Sequence, residues 1–324
     1  MNIAGTDQMK QKDIQSYENE IYWKKYQKFF PEKFRTKSEE TTPTEEYWNW
    51  RGIDVHLDRF EVPKAKFKVI VIHGAGAYAR MMTPVAIIAK NNGYSSVIPD
   101  LPGYGLTKAK WGKLKYELWI DCIVDLIEKE IARDGIPVVL FGVSMGGNLA
   151  YHAAAKSKKP KGIMVTTIAD TRERSVKNGF ARNKFLGSVG ISSLKLLPFL
   201  TDRLPMPMAY VSKMNNISNN PDISRICMSD RSGGGNWMPA GFLRTFVGTN
   251  PALEAEDFDV CPVLLVHPEK DKMTDIEFSK RFFNRLSGEK KMVILEGAGH
   301  MPVEQPGIFQ LETACIEFLK DLKV

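Results

Sequence analysis

The stretch Val138-Val139-Leu140-Phe141-Gly142-Val143-Ser144-Met145-Gly146-Gly147-Asn148 decides the fold. Its first four residues form a short, continuous apolar run, the pattern of a strand buried on both faces. From Asn148 to Ala155 the residues suit a helix. Between the two, Gly142-x-Ser144-x-Gly146 must turn the chain from strand into helix. So tight a turn forces its central residue into a strained conformation, and glycines flank it because side chains there would collide with neighbouring backbone. Ser144 Oγ is thereby lifted clear of the sheet, and the N-terminus of the following helix offers free N–H groups and a positive dipole end. A lone Gly-x-Ser-x-Gly is weak evidence; a strand before it and a helix after it make it specific.

Outward from this turn, similar β-branched runs recur at Phe67–Ile72, Tyr94–Ile98, Gly162–Thr166, Val263–Val266 and Met292–Leu295, each read as buried on both faces. Helical patterns lie at Ala79–Lys90, Leu114–Arg133, Gly146–Lys156, Asp275–Leu286 and Gly307–Leu322. Strand and helix in alternation predict an α/β fold with a mostly parallel sheet flanked by helices. The rhythm stops between Asp170 and Asp259, where Gly, Pro, Asn, Ser and Met are frequent. Residues 170–259 are therefore expected to be a mainly helical cap, with one helical piece at Val189–Leu200, inserted between core segments 46–169 and 260–324. Residues 1–45 form an N-terminal extension. In it Ile14, Tyr17, Ile21, Tyr22, Tyr26, Phe29 and Phe30 recur at helical intervals until Pro31, which predicts an amphipathic helix packed on the body.

The 324 residues are 43% hydrophobic and 26% charged, which excludes global disorder and fibrous architecture. No stretch approaches the ~18 to 20 apolar residues of a membrane-spanning helix. Met1–Asp13 is polar and lacks the apolar region of a secretory signal, so a cytoplasmic address is expected. Peripheral membrane contact by the extension stays open, although Lys24, Lys25 and Lys28 make only a thin basic face. Cys122, Cys227, Cys261 and Cys315 form no Cys-x-x-Cys pair, which argues against a zinc site or a disulfide framework and for reduced, buried thiols. The net charge of +7 is local: Lys156 to Lys213 holds twelve Lys and Arg against three acids. Without aromatic interleaving or a helix-turn-helix or finger spacing, nucleic acid is not expected as a partner.

A serine hydroxyl becomes a nucleophile only when a base takes its proton, and the base needs an acid to orient it. Of the five histidines, His300 stands in the small-residue loop Glu296-Gly297-Ala298-Gly299-His300, after one strand and before the last helix. Loops at the C-terminal ends of strands are where ligands gather in open α/β sheets. His56, in an early strand-like run, His152, on the helix after the turn, and His267, at a strand end, read as structural. For the acid, Val263–Val266 leads into His267-Pro268-Glu269-Lys270-Asp271, so Asp271 comes first, with Glu269 and Asp275 close rivals and Asp170 a more distant one. An oxyanion needs a second donor besides Met145 N–H. The glycine-rich turn His73-Gly74-Ala75-Gly76-Ala77 presents Ala75 N–H, with His73 as turn architecture. Asp100-Leu101-Pro102-Gly103-Tyr104-Gly105 is expected at the pocket rim, without a catalytic role. None of this chemistry calls for a metal or a cofactor.

Taken together, these segments resemble the α/β-hydrolase superfamily over about residues 50 to 324, the insertion excepted. The resemblance implies Ser144 as nucleophile, His300 as general acid/base, Asp271 as its partner, and Ala75 with Met145 as oxyanion hole. His73-Gly74-Ala75-Gly76 and Ser144-Met145-Gly146-Gly147 look like the monoacylglycerol lipase and lysophospholipase branch. Three positions depart from it: Ala77-Tyr78 stands where that branch commonly has Glu-His, and Val143 where it has histidine. The implied activity is cleavage of small or acyl-chain carboxylic esters through an acyl-enzyme. The same residues serve acyl transfer, thioester cleavage and carbon–carbon bond hydrolysis in other serine members, and a catalytically silent binding protein is the reading of a different class. In the cap, Met206, Met208, Met214, Met228 and Met238 with Trp237 and Phe242 either line an adaptable apolar pocket or form the cap's own core. The local basic charge either steers an anionic head group or is a solvated surface.

Overall fold

Arg51 and Gly52 both take positive φ, 50° and 77°, as a two-residue type I′ turn requires. They fold Thr44–Trp50 (β1) and Ile53–Phe60 (β2) into an antiparallel hairpin. The apolar runs read from the sequence do not include this hairpin, because Glu, Asp and Arg interrupt its apolar residues. The computed structural model describes residues 15–182 and 198–323.

Parallel strands follow at Lys68–Ile72 (β3), Ser95–Pro99 (β4), Val138–Gly142 (β5) and Ile163–Val165 (β6). The insertion contributes a two-stranded ladder, Pro205–Pro207 (β7) with Trp237–Pro239 (β8). Val263–Pro268 (β9) and Lys290–Leu295 (β10) complete the main sheet, whose order is β1-β2-β4-β3-β5-β6-β9-β10. It is mostly parallel, with the β1–β2 hairpin antiparallel at one edge.

Alternate residues of each strand feed opposite cores. Val69 and Val71 point to one side and Ile70 and Ile72 to the other. On the first side lie Thr83–Asn91, the C-terminal helix Gly307–Asp321 and the N-terminal extension; on the second lie Tyr116–Asp134 and Met145–Ser157. β10 corrects one expectation: it is an edge strand, and Met292 and Ile294 are each 37% exposed rather than buried on both faces. Lys68 is buried inside an apolar run because Glu130 Oε2 accepts from its Nζ at 2.9 Å and Asp134 pairs with it as well.

The extension also differs from expectation. Instead of one helix, Tyr17–Asn19 is a separate 3-10 turn set off by the extended backbone of Glu20, and the α-helix Ile21–Tyr26 runs on into a 3-10 turn at Gln27–Phe29 before the extended Phe30 ends it. Most of its aromatic side chains are nonetheless packed, with Tyr17, Trp23, Tyr26, Phe30 and Phe34 buried in the first core, while Ile21 of the expected apolar stripe is 66% exposed. Ile14, and the helical piece expected at Val189–Leu200 up to residue 197, lie outside the described residues; Pro198–Thr201 is a single helical turn. The insertion otherwise carries short helices at Arg174–Phe180, Met208–Val211, Pro221–Ser229 and Ala240–Phe246.

The parallel register aligns the strand ends. Ile72 pairs with Gly142, Gly142 with Val165, Val165 with Leu265, and Pro268 with Leu295. The segments beginning at His73, Val143, Thr166, Glu269 and Glu296 therefore leave the sheet along one edge.

Candidate active site

At that edge Ser144 has φ 57° and ψ −124°, a strained conformation for a residue with a side chain. Its neighbours allow no alternative. A Cβ on Gly142 would lie 2.2 Å from Gly146 O, one on Gly146 2.3 Å from Ile72 O, and one on Gly147 2.1 Å from Thr167 O. The turn is also tied from outside, because Ser144 N–H donates to Thr166 Oγ1 at 3.0 Å and Val143 N–H to Ile72 O at 3.0 Å. Met145 is the first residue of its helix, where an amide has no intrahelical acceptor.

The turn after β3 closes on this elbow. A Cβ on Gly74 would meet Val143 O at 2.7 Å, Ser144 Cβ at 2.9 Å and Met145 N at 3.3 Å, so only glycine lets Ala75 come this close to the serine. His73 is neutral architecture. Its Nδ1–H donates to Gly74 O at 2.8 Å, its Nε2 accepts from Leu101 N–H at 3.0 Å, and burial lowers its pKa.

Asp271 and His300 meet across the loops after β9 and β10. His300 Nδ1 donates to Asp271 Oδ2 at 2.7 Å, and Asp271 Oδ1 accepts from Met273 N–H at 2.8 Å and Thr274 N–H at 2.9 Å. The loops are stitched together by Glu269 N–H to Leu295 O and Lys270 N–H to Ala298 O. Burial alone would raise the Asp271 carboxyl pKa; the His300 charge and hydrogen bond, with the two amides, outweigh it and leave the value lowered. The rival acids are engaged elsewhere. Glu269 accepts from Gly297 N–H, Asp275 caps Ile276–Arg285 through Glu277 N–H, and Asp170 forms a two-pronged pair with Arg172.

A cavity of about 150 Å³ opens beside the serine. Ala75, Ser144 and Met145 form one wall, Thr274 and Met273 another, and Phe180, Met206, Met208, Met214, Leu243 and Phe246 make its apolar body. Three of the five cap methionines singled out from the sequence thus line it. Met238 and Phe242 are fully buried core and Met228 packs against the core, while Trp237 is 43% exposed. Among the described residues Ser144 Oγ and the His300 ring form no hydrogen bond, a contact that in unliganded enzymes is often loose and tightens with substrate.

Two sequence expectations need correction or addition. The Asp100–Gly105 turn is not at the pocket rim: none of its residues lines the cavity, and Asp100 is fully buried. Thr166 and Asn148 hold the site without having been singled out. Asn148 Oδ1 accepts from Ala169 N–H at 2.9 Å, and the cue for Thr166 was only its place after a neighbouring strand. His152 is buried against Tyr116 and Tyr151, and burial pulls its pKa down to about 4. His267 is buried as well, with its Nδ1 on Pro268 O. All four cysteines are free and buried.

The model of the alpha/beta hydrolase family matches residues 69–309. The chain belongs to that family and is a hydrolase. Its relatives include phospholipase YtpA of Bacillus subtilis, 25% identical over 228 residues that cover 69% of this chain and 83% of that protein. Monoglyceride lipase of Saccharomyces cerevisiae is 22% identical over 313 residues, covering 86% and 90%. The crystal structure of a soluble variant of that lipase with a substrate analogue superposes with TM-score 0.71 at 19% identity, over 90% of this chain and 99% of the other. A monoacylglycerol lipase from Paleococcus ferrophilus superposes with TM-score 0.66 at 22% identity, over 82% and 98%.

Proposed function

We propose that this hydrolase cleaves carboxylic esters with an apolar acyl group through an acyl-enzyme on Ser144. The observation that carries the reading is the Asp271–His300 hydrogen bond of 2.7 Å on the same sheet edge as a strained serine that opens into an apolar cavity. His300 Nε2 takes the Ser144 proton as Oγ attacks the acyl carbon. The oxyanion accepts hydrogen bonds from Ala75 N–H and Met145 N–H, each such donor typically carrying about 10²- to 10³-fold in rate. Asp271 stabilises the imidazolium, which then protonates the leaving alcohol, and water repeats the sequence on the acyl-enzyme. The methionine-lined cavity suits a flexible acyl chain, and the relatives, by name a phospholipase and a monoglyceride lipase, favour esters of the phospholipid or monoacylglycerol type.

The test is hydrolysis of p-nitrophenyl esters from acetate to palmitate by wild type, Ser144→Ala and His300→Ala, with fluorophosphonate labelling. Turnover abolished in both variants supports the reading. No turnover at any chain length together with no labelling of Ser144 overturns it.

A further inference from the structure

The Ala75 donor belongs to a turn whose far end is held by a residue distant in sequence. Asp100 Oδ1 accepts from Ala79 N–H at 2.6 Å, and Asp100 Oδ2 accepts from Leu106 N–H at 2.9 Å and from Tyr17 OH at 2.8 Å. Tyr17 is itself fully buried, and its ring stacks on Tyr78 with centroids 5.1 Å apart and planes 10° from parallel. The Arg80 guanidinium covers the Tyr17 ring at 5.0 Å. Tyr78, Ala79 and Arg80 are thus all gripped by one side chain or by the carboxylate it donates to. Gly105 makes room for it: a Cβ there would stand 2.3 Å from Tyr17 OH. The extension is anchored in turn by Ser16 Oγ and Tyr17 N–H donating to the Glu45 carboxylate at 2.8 and 3.1 Å.

Ala75 lies three residues before Tyr78, with Gly76 at φ 91° and Ala77 between them. Two glycines in so short a turn leave its backbone free to change path unless both ends are fixed. Gly74 fixes the near end by its contact with the elbow, and the Tyr17–Asp100 pair fixes the far end. An oxyanion donor has to be held within about 0.5 Å of its productive position.

We propose that Tyr17 is a positioning residue for the oxyanion turn, so that the N-terminal extension acts on the chemical step as well as covering core. This rests on the ester-hydrolase reading above, in which Ala75 N–H stabilises the oxyanion. Tyr17 lies outside residues 69–309, where the family model matches.

The experiment compares wild type, Tyr17→Phe, Tyr17→Ala and Phe34→Leu in the full chain. Phe34 is buried in the same extension but pairs with Phe309, so its variant removes packing without touching the turn. Kinetics on a p-nitrophenyl ester are read beside the inhibition constant of a trifluoromethyl ketone, which forms a tetrahedral adduct on the serine. Hydrogen exchange of the Gly74–Ala79 amides is followed in parallel. For Tyr17→Ala, kcat is expected to fall about tenfold or more with KM little changed, the inhibitor to weaken by the same factor, and exchange at 74–79 to quicken while 138–148 is unaffected. Tyr17→Phe keeps the stack and loses only the donor, so it falls between. Phe34→Leu is expected to lower the melting temperature without moving kcat or the inhibition constant. The proposal is overturned if Tyr17→Ala lowers only the melting temperature and leaves exchange at 74–79 unchanged. Should wild type neither hydrolyse esters nor label at Ser144, the ester reading fails instead, and exchange alone decides whether Tyr17 holds the turn.

Discussion

Asp271 Oδ2 lies 2.7 Å from His300 Nδ1, and the other oxygen of the same carboxylate is held by two backbone amides. One acid is thereby committed to the imidazole while its neighbours serve other groups. Asp271→Asn is expected to reduce kcat by about 10⁴-fold, the loss typical of a wrongly oriented histidine. Asp275→Asn should leave kcat close to wild type, since asparagine caps a helix as well as aspartate. Steady-state kinetics of the two variants decide the point; equal losses would remove Asp271 from its assigned role.

The elbow glycines differ from other glycines in what surrounds them. Gly147→Ala would bring a methyl group to 2.1 Å of Thr167 O, whereas Gly135, at φ 74°, has nothing within 4 Å of its Cβ position. Urea denaturation should show a loss of about 3 kcal/mol or more for Gly147→Ala and only about 1 to 2 kcal/mol for Gly135→Ala, the cost of left-handed backbone alone.

Leu243 lines the cavity beside the methionines. Leu243→Trp is expected to shorten the preferred acyl chain, with kcat/KM for long esters falling at least about tenfold and that for acetate nearly unchanged. A uniform fall across the series would show that the cavity does not receive the acyl group.

His56 carries a pH-dependent share of the stability. Burial opposes its charge, yet Asp100 Oδ2 at 3.1 Å, Glu45 Oε2 at 2.9 Å and Asp58 Oδ1 at 3.7 Å overcome this and raise its pKa from 6.5 to about 10. Arg80, paired with Asp58 and Glu45, and the Tyr17 and Tyr47 rings complete its surroundings. A raised folded-state value means the contribution is fully present below pH 6.5 and is lost as pH climbs through about 10. The stability difference between wild type and His56→Gln should therefore shrink by on the order of a few kcal/mol across that window. Parallel curves in chemical denaturation at successive pH values would contradict it.

The features legible in the sequence are those fixed by neighbours along the chain. The five parallel runs beside Val138–Phe141 announce themselves as brief, β-branched and nearly continuous apolar stretches. Gly142, Ser144 and Gly146 do so because their backbone has one way to turn between strand and helix, and His300 does so by its short glycine loop after a strand. The β1–β2 hairpin is legible only as a strand-like run around His56, because charged residues interrupt its apolar ones; Asp58 and Arg59 are buried all the same, paired with Arg80 and Glu130 from distant segments. The single amphipathic helix expected in the extension is in fact a separate turn followed by a short helix that tightens at its end, since the spacing of its aromatic residues reflects what they bury against rather than helical periodicity.

What the tertiary structure alone decided are relationships between atoms whose separation along the chain carries no signal. Glu269, Asp271 and Asp275 offer the same carboxylate within seven residues, and only the folded loops direct one to His300, one to Gly297 N–H and one to a helix end. Tyr17 and Asp100 are 83 positions apart, and no periodicity or motif links them. The local backbone is determined by sterics that act over a few residues, whereas the partner of a hydrogen bond is determined by where the sheet brings distant loops together.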